Sequence, residues 1–478
     1  MKARKQFALV IIVAGLCSLC ASPIWAQEAG EEKPKPAARV LLPLPDVNGN
    51  QQEDDQGNQT MQPDRGPVTG VQSATLGTSE LRHSYWVPGL QYGNTAQSSS
   101  ANAGGPAGWT TTNYVNGNLS LLDAWAHAQL SANYSGGGFF SNDANLGNGQ
   151  YHQLASTLEI DQRRWQVFFD DQFSYLPQSS FGFGGTSGLA LPGITGSLAA
   201  PQPGLQSAFV PGQTILTVVG PRYSNASAVQ LTYEVSRRGS ITVAGVHDLL
   251  RFSNIGNFNN DTEVFNVGYN YAITHKDTFG FIYRFSAFHY PGNPQALGDH
   301  VAEIVYGRRI TGRLALNLAG GADVTTFRQP VSGSKQSLSG SGTGSLVYAF
   351  FLATVRLNYT HGVSGGSGVS TGANTDQITA DWSRPLTRVW SGKLSFGYAK
   401  NSPIVVVKGP TSPAYSTWLP SAGLSRPLGR RASFTLGYQA QIETSNVALC
   451  STPNCGTNYT THQVQVSFQW QAAPQVLR

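Results

Sequence analysis

Charged residues are scarce in this chain. Of its 478 residues, only 12% are Asp, Glu, Lys or Arg, about half of the roughly 25% that is usual for globular proteins. A soluble enzyme of this length would need more charge over its surface. The formal net charge is +5, which is too small for this length to indicate a nucleic-acid partner.

Long apolar runs are absent after the first thirty residues, and this excludes a bundle of membrane-spanning helices. The chain is not strongly hydrophobic on average, with 40% apolar residues, 54 glycines and 10% aromatics. Strands with an apolar residue at every second position give such an average while still presenting a continuous apolar face. These numbers favour a closed β-barrel in a membrane.

The N-terminus predicts export from the cytoplasm. Three basic residues in the first five positions precede an apolar stretch at 7–19, and Ala26 then offers a small residue for cleavage. This is the three-part pattern of a secretory signal peptide. We therefore expect residues 1–26 to be removed.

Cysteine is rare, and two of the four cysteines lie inside that signal peptide. The remaining pair, Cys450 and Cys455, occurs in the sequence CSTPNC. In an oxidising compartment, two cysteines without further metal ligands favour a small disulfide loop.

Residues 27–112 contain few apolar side chains and much Pro, Gln, Asn, Gly and Ser. Such a composition cannot offset the entropy lost on ordering the chain. We therefore predict a disordered periplasmic segment, with a periplasmic partner as the hypothesis for its role.

From about residue 113 the sequence alternates with a period of two. In the stretch 434–442, Phe434, Leu436 and Tyr438 share one face, while Thr435 and Gln439 lie on the other. This pattern is typical of a strand with one apolar and one polar side.

The spacing of these strands predicts a transmembrane antiparallel barrel of about 16 strands over 113–470, with 14 or 18 as alternatives and a tail at 471–478. An even count leaves both termini at the end of the barrel that carries the short turns. The predicted short turns are 161–164, 237–239, 274–277, 311–312, the neighbourhood of 350, 386–388 and 428–430. The predicted long connections are 136–150, 177–221, 253–260, 291–298, 328–340, 364–373, 402–412 and 446–457.

The last predicted strand ends on an aromatic residue, with its apolar side chains at every second position: Val464, Val466, Phe468 and Trp470. With the signal peptide and the hairpin scheme, this resembles the Gram-negative outer-membrane β-barrel porins, especially a poorly characterised porin family with some members linked to polysaccharide secretion. The chain departs from the pattern because residues 471–478 follow the aromatic.

The resemblance implies a protein of the cell outer membrane, surrounded by outer-membrane lipids and inserted by the assembly machinery that reads the terminal strand. It implies short periplasmic turns, long extracellular loops and periplasmic termini. Porins are often trimers, so a homo-oligomer is expected from the resemblance alone.

If the apolar faces point to lipid, the opposite faces place charged side chains in the lumen. Their acidic excess would weakly favour cations. The alternative interpretation, that they are ordinary solvated wall residues, stays open because the register of each strand is not fixed by the sequence. Only one of the adjacent Asp170 and Asp171 can face inward. The predicted lumen residues are Glu159, Asp170, Glu234, Asp248, Arg284, Glu303, Asp323, Arg356, Asp381, Lys393 and Glu443.

The sequence offers no catalytic, metal or cofactor motif. The histidines are scattered without metal-ligand spacing, and no nucleophile with its base can be identified. Two hypotheses remain: a passive diffusion channel for small solutes, or a structural barrel serving polysaccharide export or surface adhesion. The connection 177–221 is either a pore constriction or a mobile outer loop.

Overall fold

The computed structural model describes residues 84–100, 108–142, 147–176, 222–253, 258–331, 333–366, 368, 370–404, 414–445 and 458–477. Regular structure in these residues is entirely β. Within the same residues, no helix has the length and apolarity needed to cross a membrane.

Eighteen long strands and one short strand make up the described chain. Their bounds are β1 Tyr85–Ser100, β2 Gly108–Ala124, β3 Ala128–Ser141, β4 Asn148–Asp161, β5 Trp165–Leu176, β6 Arg222–Glu234, β7 Gly239–Phe252, β8 Asn260–Ala272, β9 Asp277–His289, β10 Ala296–Thr311, β11 Leu314–Val331, β12 Ser334–Ala349, β13 Thr354–Ser364, β14 Ala373–Pro385, β15 Ser391–Ser402, β16 Tyr415–Pro427, β17 Ala432–Ser445, β18 Tyr459–Gln471 and β19 Gln475–Val476.

Each long strand pairs antiparallel with the next one along the chain, and the sheet closes on itself. β1 pairs with β2 on one side and with β18 on the other. At the closure, Leu90 lies opposite Trp470 and Tyr92 opposite Phe468. A closed barrel leaves no long sheet edge unpaired, so the backbone groups of all 18 strands can be satisfied within the sheet.

The predicted antiparallel barrel is confirmed, but the strand number of 16 is wrong and the alternative of 18 is right. One missed strand, β1, lies inside the segment predicted to be disordered. The other arises because a turn at 125–127 divides the predicted first strand into β2 and β3, and there the Trp125 N–H donates to the Ala128 carbonyl at 2.7 Å. The barrel therefore begins at Tyr85 and not at 113.

β1 cannot be recognised from its own sequence because pairing with its neighbours gives it its order. Its sequence, YWVPGLQYGNTAQSSS, is rich in Gly, Ser, Asn and Gln, and it has little apolar alternation beyond Tyr92. Backbone pairing to both β2 and β18 holds it in place. Beyond β18, the short β19 also pairs with the start of β1.

The connections divide between the two ends of the barrel. The eight connections that follow the even-numbered strands from β2 to β16 are all short, and the seven predicted short turns lie among them. Those after odd-numbered strands include the longer ones. Two of the predicted long connections are mostly strand, because β3 and β4 extend through much of 136–150 and β11 and β12 through most of 328–340. We call the two ends the short-turn end and the long-loop end.

The outer face of the barrel is apolar and the inner face is polar. On β18, Val466 is 40% and Phe468 45% exposed, whereas the intervening Ser467 is 2% exposed. The same alternation occurs in β8, where Phe265 and Tyr269 are exposed and Asn266 and Asn270 are buried. This polarity is the inverse of that of a soluble β-sandwich, whose apolar faces are buried.

Tyrosine hydroxyls contact histidines on the outer face in three hairpins. In each hairpin the tyrosine lies diagonally across from the histidine, and its hydroxyl is 2.8 or 2.9 Å from the imidazole Nδ1. The pairs are Tyr134 with His152, Tyr283 with His300 and Tyr438 with His462. The fold thus gives repeated polar contacts to histidines that look scattered in sequence.

Candidate functional site: the barrel interior and its mouth

All eleven charged residues proposed for the lumen lie on strand faces opposite the exposed apolar side chains. They fall into two groups by exposure. Buried are Asp170, Asp248, Glu303, Asp323 and Glu443. Less buried are Glu159, Glu234, Arg284, Arg356, Asp381 and Lys393.

The adjacent Asp170 and Asp171 have opposite orientations, as strand alternation requires. Asp170 faces inward and accepts hydrogen bonds from Thr157 Oγ1 and Gln172 Nε2, both at 3.3 Å. Asp171 faces outward, where Ser227 Oγ donates to it at 2.5 Å and Asn225 Nδ2 at 3.2 Å. Polar partners on β6 therefore satisfy the carboxylate that alternation places on the apolar face.

A cluster of carboxylates lines the interior at β10 and β11. Asp299 and Asp323 are 1% and 0% exposed, and the hydroxyl of Thr325 lies 3.4 Å from the first and 3.5 Å from the second. Four residues along β10 from Asp299, Glu303 accepts a hydrogen bond of 2.6 Å from Ser341 Oγ on β12. The three carboxylates form one acidic patch on adjacent strands.

Arg284 on β9 lies beside this patch, directly across from Val301 of β10 in the register. A Cβ built on Gly362 of β13 would lie 3.9 Å from Arg284 Nη2, although three strands separate β9 from β13 in the sheet. Such an approach requires the wall to curve strongly between β9 and β13. The interior is therefore narrow in this sector.

An apolar cluster closes the same sector at the long-loop end. It joins side chains from β9 to β11, the end of β13 and the connection after β15, and each is at most 8% exposed. Its members are Phe288, Tyr290, Leu297, Phe327, Val363 and Ile404, and we call them the mouth cluster. Residues far apart in the sheet thus meet across the mouth.

The connection between β13 and β14 contributes to this closure. The Phe258 N–H donates to the Gly368 carbonyl at 2.9 Å, which ties this connection to the one between β7 and β8. Gly368 has φ +82°, and a Cβ there would lie 2.5 Å from the ring of Phe252. Glycine is needed here for both conformation and space.

The wall that follows this sector retains accessible inner surface in its other half. Towards the short-turn end, the inward residues of β12 to β16 are partly exposed. Arg356 lies directly across from Asp381 in the register, and Lys393 Nζ is 4.0 Å from the Asp381 carboxylate. Ser395 Oγ also donates to Asp381 at 2.6 Å. Two cations and one anion therefore form an exposed row on the inner wall.

The exposed charged residues of the interior have a different net charge from all inward charged residues taken together, because many inward carboxylates are buried. Six inward carboxylates are buried, while the only buried inward cation of the described chain is Arg222. The charged inward residues that keep partial exposure are nearly balanced, with the acids Glu159, Asp161, Glu234 and Asp381 and the cations Arg284, Arg309, Lys335, Arg356 and Lys393.

The terminal strand has its predicted apolar face turned outward, with Val464, Val466, Phe468 and Trp470 between 36% and 45% exposed. Its use as an assembly signal remains a prediction. Cys450 and Cys455, the signal peptide and the connection 177–221 lie outside the described residues. In the part of the chain that the structure describes, no group of three or more His, Cys, Asp or Glu side chains could hold a metal ion.

Sequence reasoning missed Asp299 and the mouth cluster. Asp299 follows directly on a segment interpreted as a loop, and its alternation with Val301 and Glu303 was the available signal. The mouth cluster had no local signal, because its members come from five separate segments.

No family model and no curated protein matches this chain. Among solved structures, it is similar to Acinetobacter baumannii OccAB1, with 9% identity, a TM-score of 0.41 and coverage of 81% of this chain and 96% of that one. The outer membrane protein opdK from Pseudomonas aeruginosa has 10% identity, a TM-score of 0.41 and coverage of 81% and 99%.

Proposed function

We propose that this barrel lies in the outer membrane of a Gram-negative cell and acts as a porin-like diffusion channel for small solutes. The observation that carries the proposal is the polarity of the closed sheet, which is apolar outside and polar inside. A lipid-facing barrel requires this arrangement, because charged and amide side chains on the lipid face would destabilise it. Short turns would then face the periplasm and the longer loops the cell exterior. No step of the proposal involves catalysis.

The permeation path in this proposal follows the inner surface of β12 to β16. In its half towards the short-turn end that surface keeps partial exposure, whereas the sector from β6 to β11 is largely buried. The mouth cluster and the Gly368 contact narrow the entrance on the long-loop side. A solute would therefore pass beside the closed sector.

Near-balanced exposed charges predict weak ion selectivity. The acidic excess among the predicted lumen residues comes mostly from buried carboxylates, which contribute little to the wall that an ion meets. The channel should therefore show only a small reversal potential in a gradient of potassium chloride. This differs from a wall of exposed carboxylates, which would concentrate cations.

Single-channel recording of the refolded full chain in a planar bilayer tests the proposal. We expect discrete conductance steps. The double substitution R356Q/K393Q should shift the reversal potential toward cation preference, because it leaves Asp381 without its two neighbouring cations. The control R163Q/R164Q removes the same charge outside the lumen and should shift it much less. Folded barrels without steps above background would contradict the channel.

The alternative role, an accessory barrel for polysaccharide export or surface adhesion, predicts that absence of steps. No described contact favours it over the channel.

A further inference from the structure

The short-turn end of the barrel is strongly basic. Its eight turns, with two flanking residues on each side, contain eleven Lys or Arg and four Asp or Glu. The connections of the long-loop end, counted in the same way, contain four and two. The positive charge is thus concentrated at one rim and not spread over the protein.

The densest part of this rim is formed by two nearly identical turns. Both begin with Ser-Arg-Pro-Leu, at 383–386 and 425–428. They connect β14 to β15 and β16 to β17, and because β15 pairs with β16 they are neighbours in the barrel. Together they present five exposed arginines, Arg384, Arg388, Arg426, Arg430 and Arg431. We call the two turns that carry these residues the arginine pair of turns.

Direct contacts hold the two turns together. Ser391, just after the first turn, and Ser425, at the start of the second, have their hydroxyl oxygens 2.6 Å apart. The Arg426 guanidinium carbon lies 5.5 Å from the centre of the Trp390 ring, a cation–π geometry. The second turn is therefore packed on the first, and the five arginines belong to one surface.

No carboxylate neutralises this surface. The sequence has no Asp or Glu from 382 to 442. Within the described residues, none of the five arginines has a carboxylate within 4.0 Å, whereas Arg308 elsewhere on the rim lies 3.6 Å from Asp277. An arginine without a carboxylate partner keeps its bidentate donors for an external oxyanion.

The surface continues the apolar outer face. Arg384 follows the outward Trp382 by two positions, and Arg426 follows the outward Leu424 by two, so both arginines stand just past the apolar band. The turns also expose apolar side chains: Leu386 is 48%, Val389 45% and Leu428 42% exposed. Guanidinium groups beside exposed apolar groups match a phosphate joined to acyl chains.

We propose that the arginine pair of turns binds the headgroup phosphate of an anionic phospholipid in the leaflet at the short-turn end. Arginine side chains would hold the phosphate oxygens, while Leu386, Val389 and Leu428 would contact the acyl chains. The inference requires the barrel to be surrounded by lipid, but it is independent of conductance.

Native mass spectrometry of the full chain, refolded in neutral detergent, tests the proposal. The probes are dioleoyl phosphatidylglycerol and dioleoyl phosphatidylcholine at equal concentrations. We expect the anionic lipid to be retained at least about tenfold more strongly. The variant R384Q/R388Q/R426Q/R430Q/R431Q should lose this preference.

A matched control separates a site from general attraction. The variant R163Q/R164Q/R237Q/R238Q/K276Q removes the same five charges from three other turns of the rim and should retain the preference. Equal loss in both variants would show that only net charge matters and would overturn the proposal. So would equal retention of the two lipids by the unaltered chain.

Two further measurements keep the result interpretable. Added glycerol phosphate should not displace the lipid at the same concentration, and displacement would indicate a site for soluble phosphate, contrary to the proposal. Mobility with and without boiling on a gel identifies variants that fold. If the fivefold variant does not fold, R430Q/R431Q at the turn tip should still reduce the preference, and an unchanged preference in that variant overturns the site.

Discussion

At the scale of single residues, alternation along each strand decides which side chains face the barrel interior and which face outward. Asp170 and Asp171 show this clearly, because one carboxylate faces the interior and its neighbour faces out against Ser227. Glycine has a different role where strands approach closely. A Cβ on Gly321 would overlap the backbone carbonyl of Ala302 on β10, whereas one on the adjacent Gly320 would have its nearest neighbour, the Ser341 carbonyl oxygen, at 3.9 Å.

This contrast predicts that Gly321→Ala destabilises the barrel and that Gly320→Ala does not. Relieving the overlap must move the β10 backbone, at a cost of about 1–3 kcal/mol. Urea unfolding in lipid vesicles would show a lower midpoint for the first variant. Equal midpoints for the two variants would mean that β10 adjusts without strain.

At the scale of elements, strands, turns and loops differ in what their sequences reveal. Most short turns are marked by their own residues, such as Gly429, which has φ +83°, whereas the turn at 125–127 contains no such residue. The longer connections obtain their arrangement from distant partners. The N–H of Phe258 meets the Gly368 carbonyl, and Ile404 packs in a cluster with Phe288 and Phe327.

Removing a ring from the mouth cluster should widen the mouth. Phe327 is 6% exposed, and its truncation to Ala would cost about 3–5 kcal/mol of packing. We expect Phe327→Ala to give larger or noisier conductance steps than the unaltered chain. Leu338→Ala, on the outer face of the same hairpin and 77% exposed before substitution, should leave the steps unchanged. Identical recordings from both variants would show that the mouth cluster does not border the permeation path.

At the scale of the whole molecule, closure depends on β1. This strand pairs along most of its length with β2 and with β18, so its loss would leave two long unpaired edges. The apolar outer face and polar inner face have meaning only once the sheet is closed, because closure defines an inside.

A truncation series tests this dependence. A chain that keeps the signal peptide but lacks residues 27–100 should fail to give the heat-modifiable gel mobility of a folded barrel, since β1 is gone. A chain lacking only 27–83 retains all 18 strands and should keep that mobility. A folded barrel from the longer deletion would show that β2 and β18 can pair directly.

The sequence by itself determined the antiparallel barrel and seven of its eight short turns, because period-two alternation and turn residues are local properties. It could not determine that β1 is a strand, since the partners of β1 supply its order. Tertiary structure alone decided which carboxylates are buried, that Phe288 and Ile404 meet across the mouth, and that two similar turns 42 residues apart combine their arginines. These depend on strand neighbours and wall curvature, which no local pattern encodes.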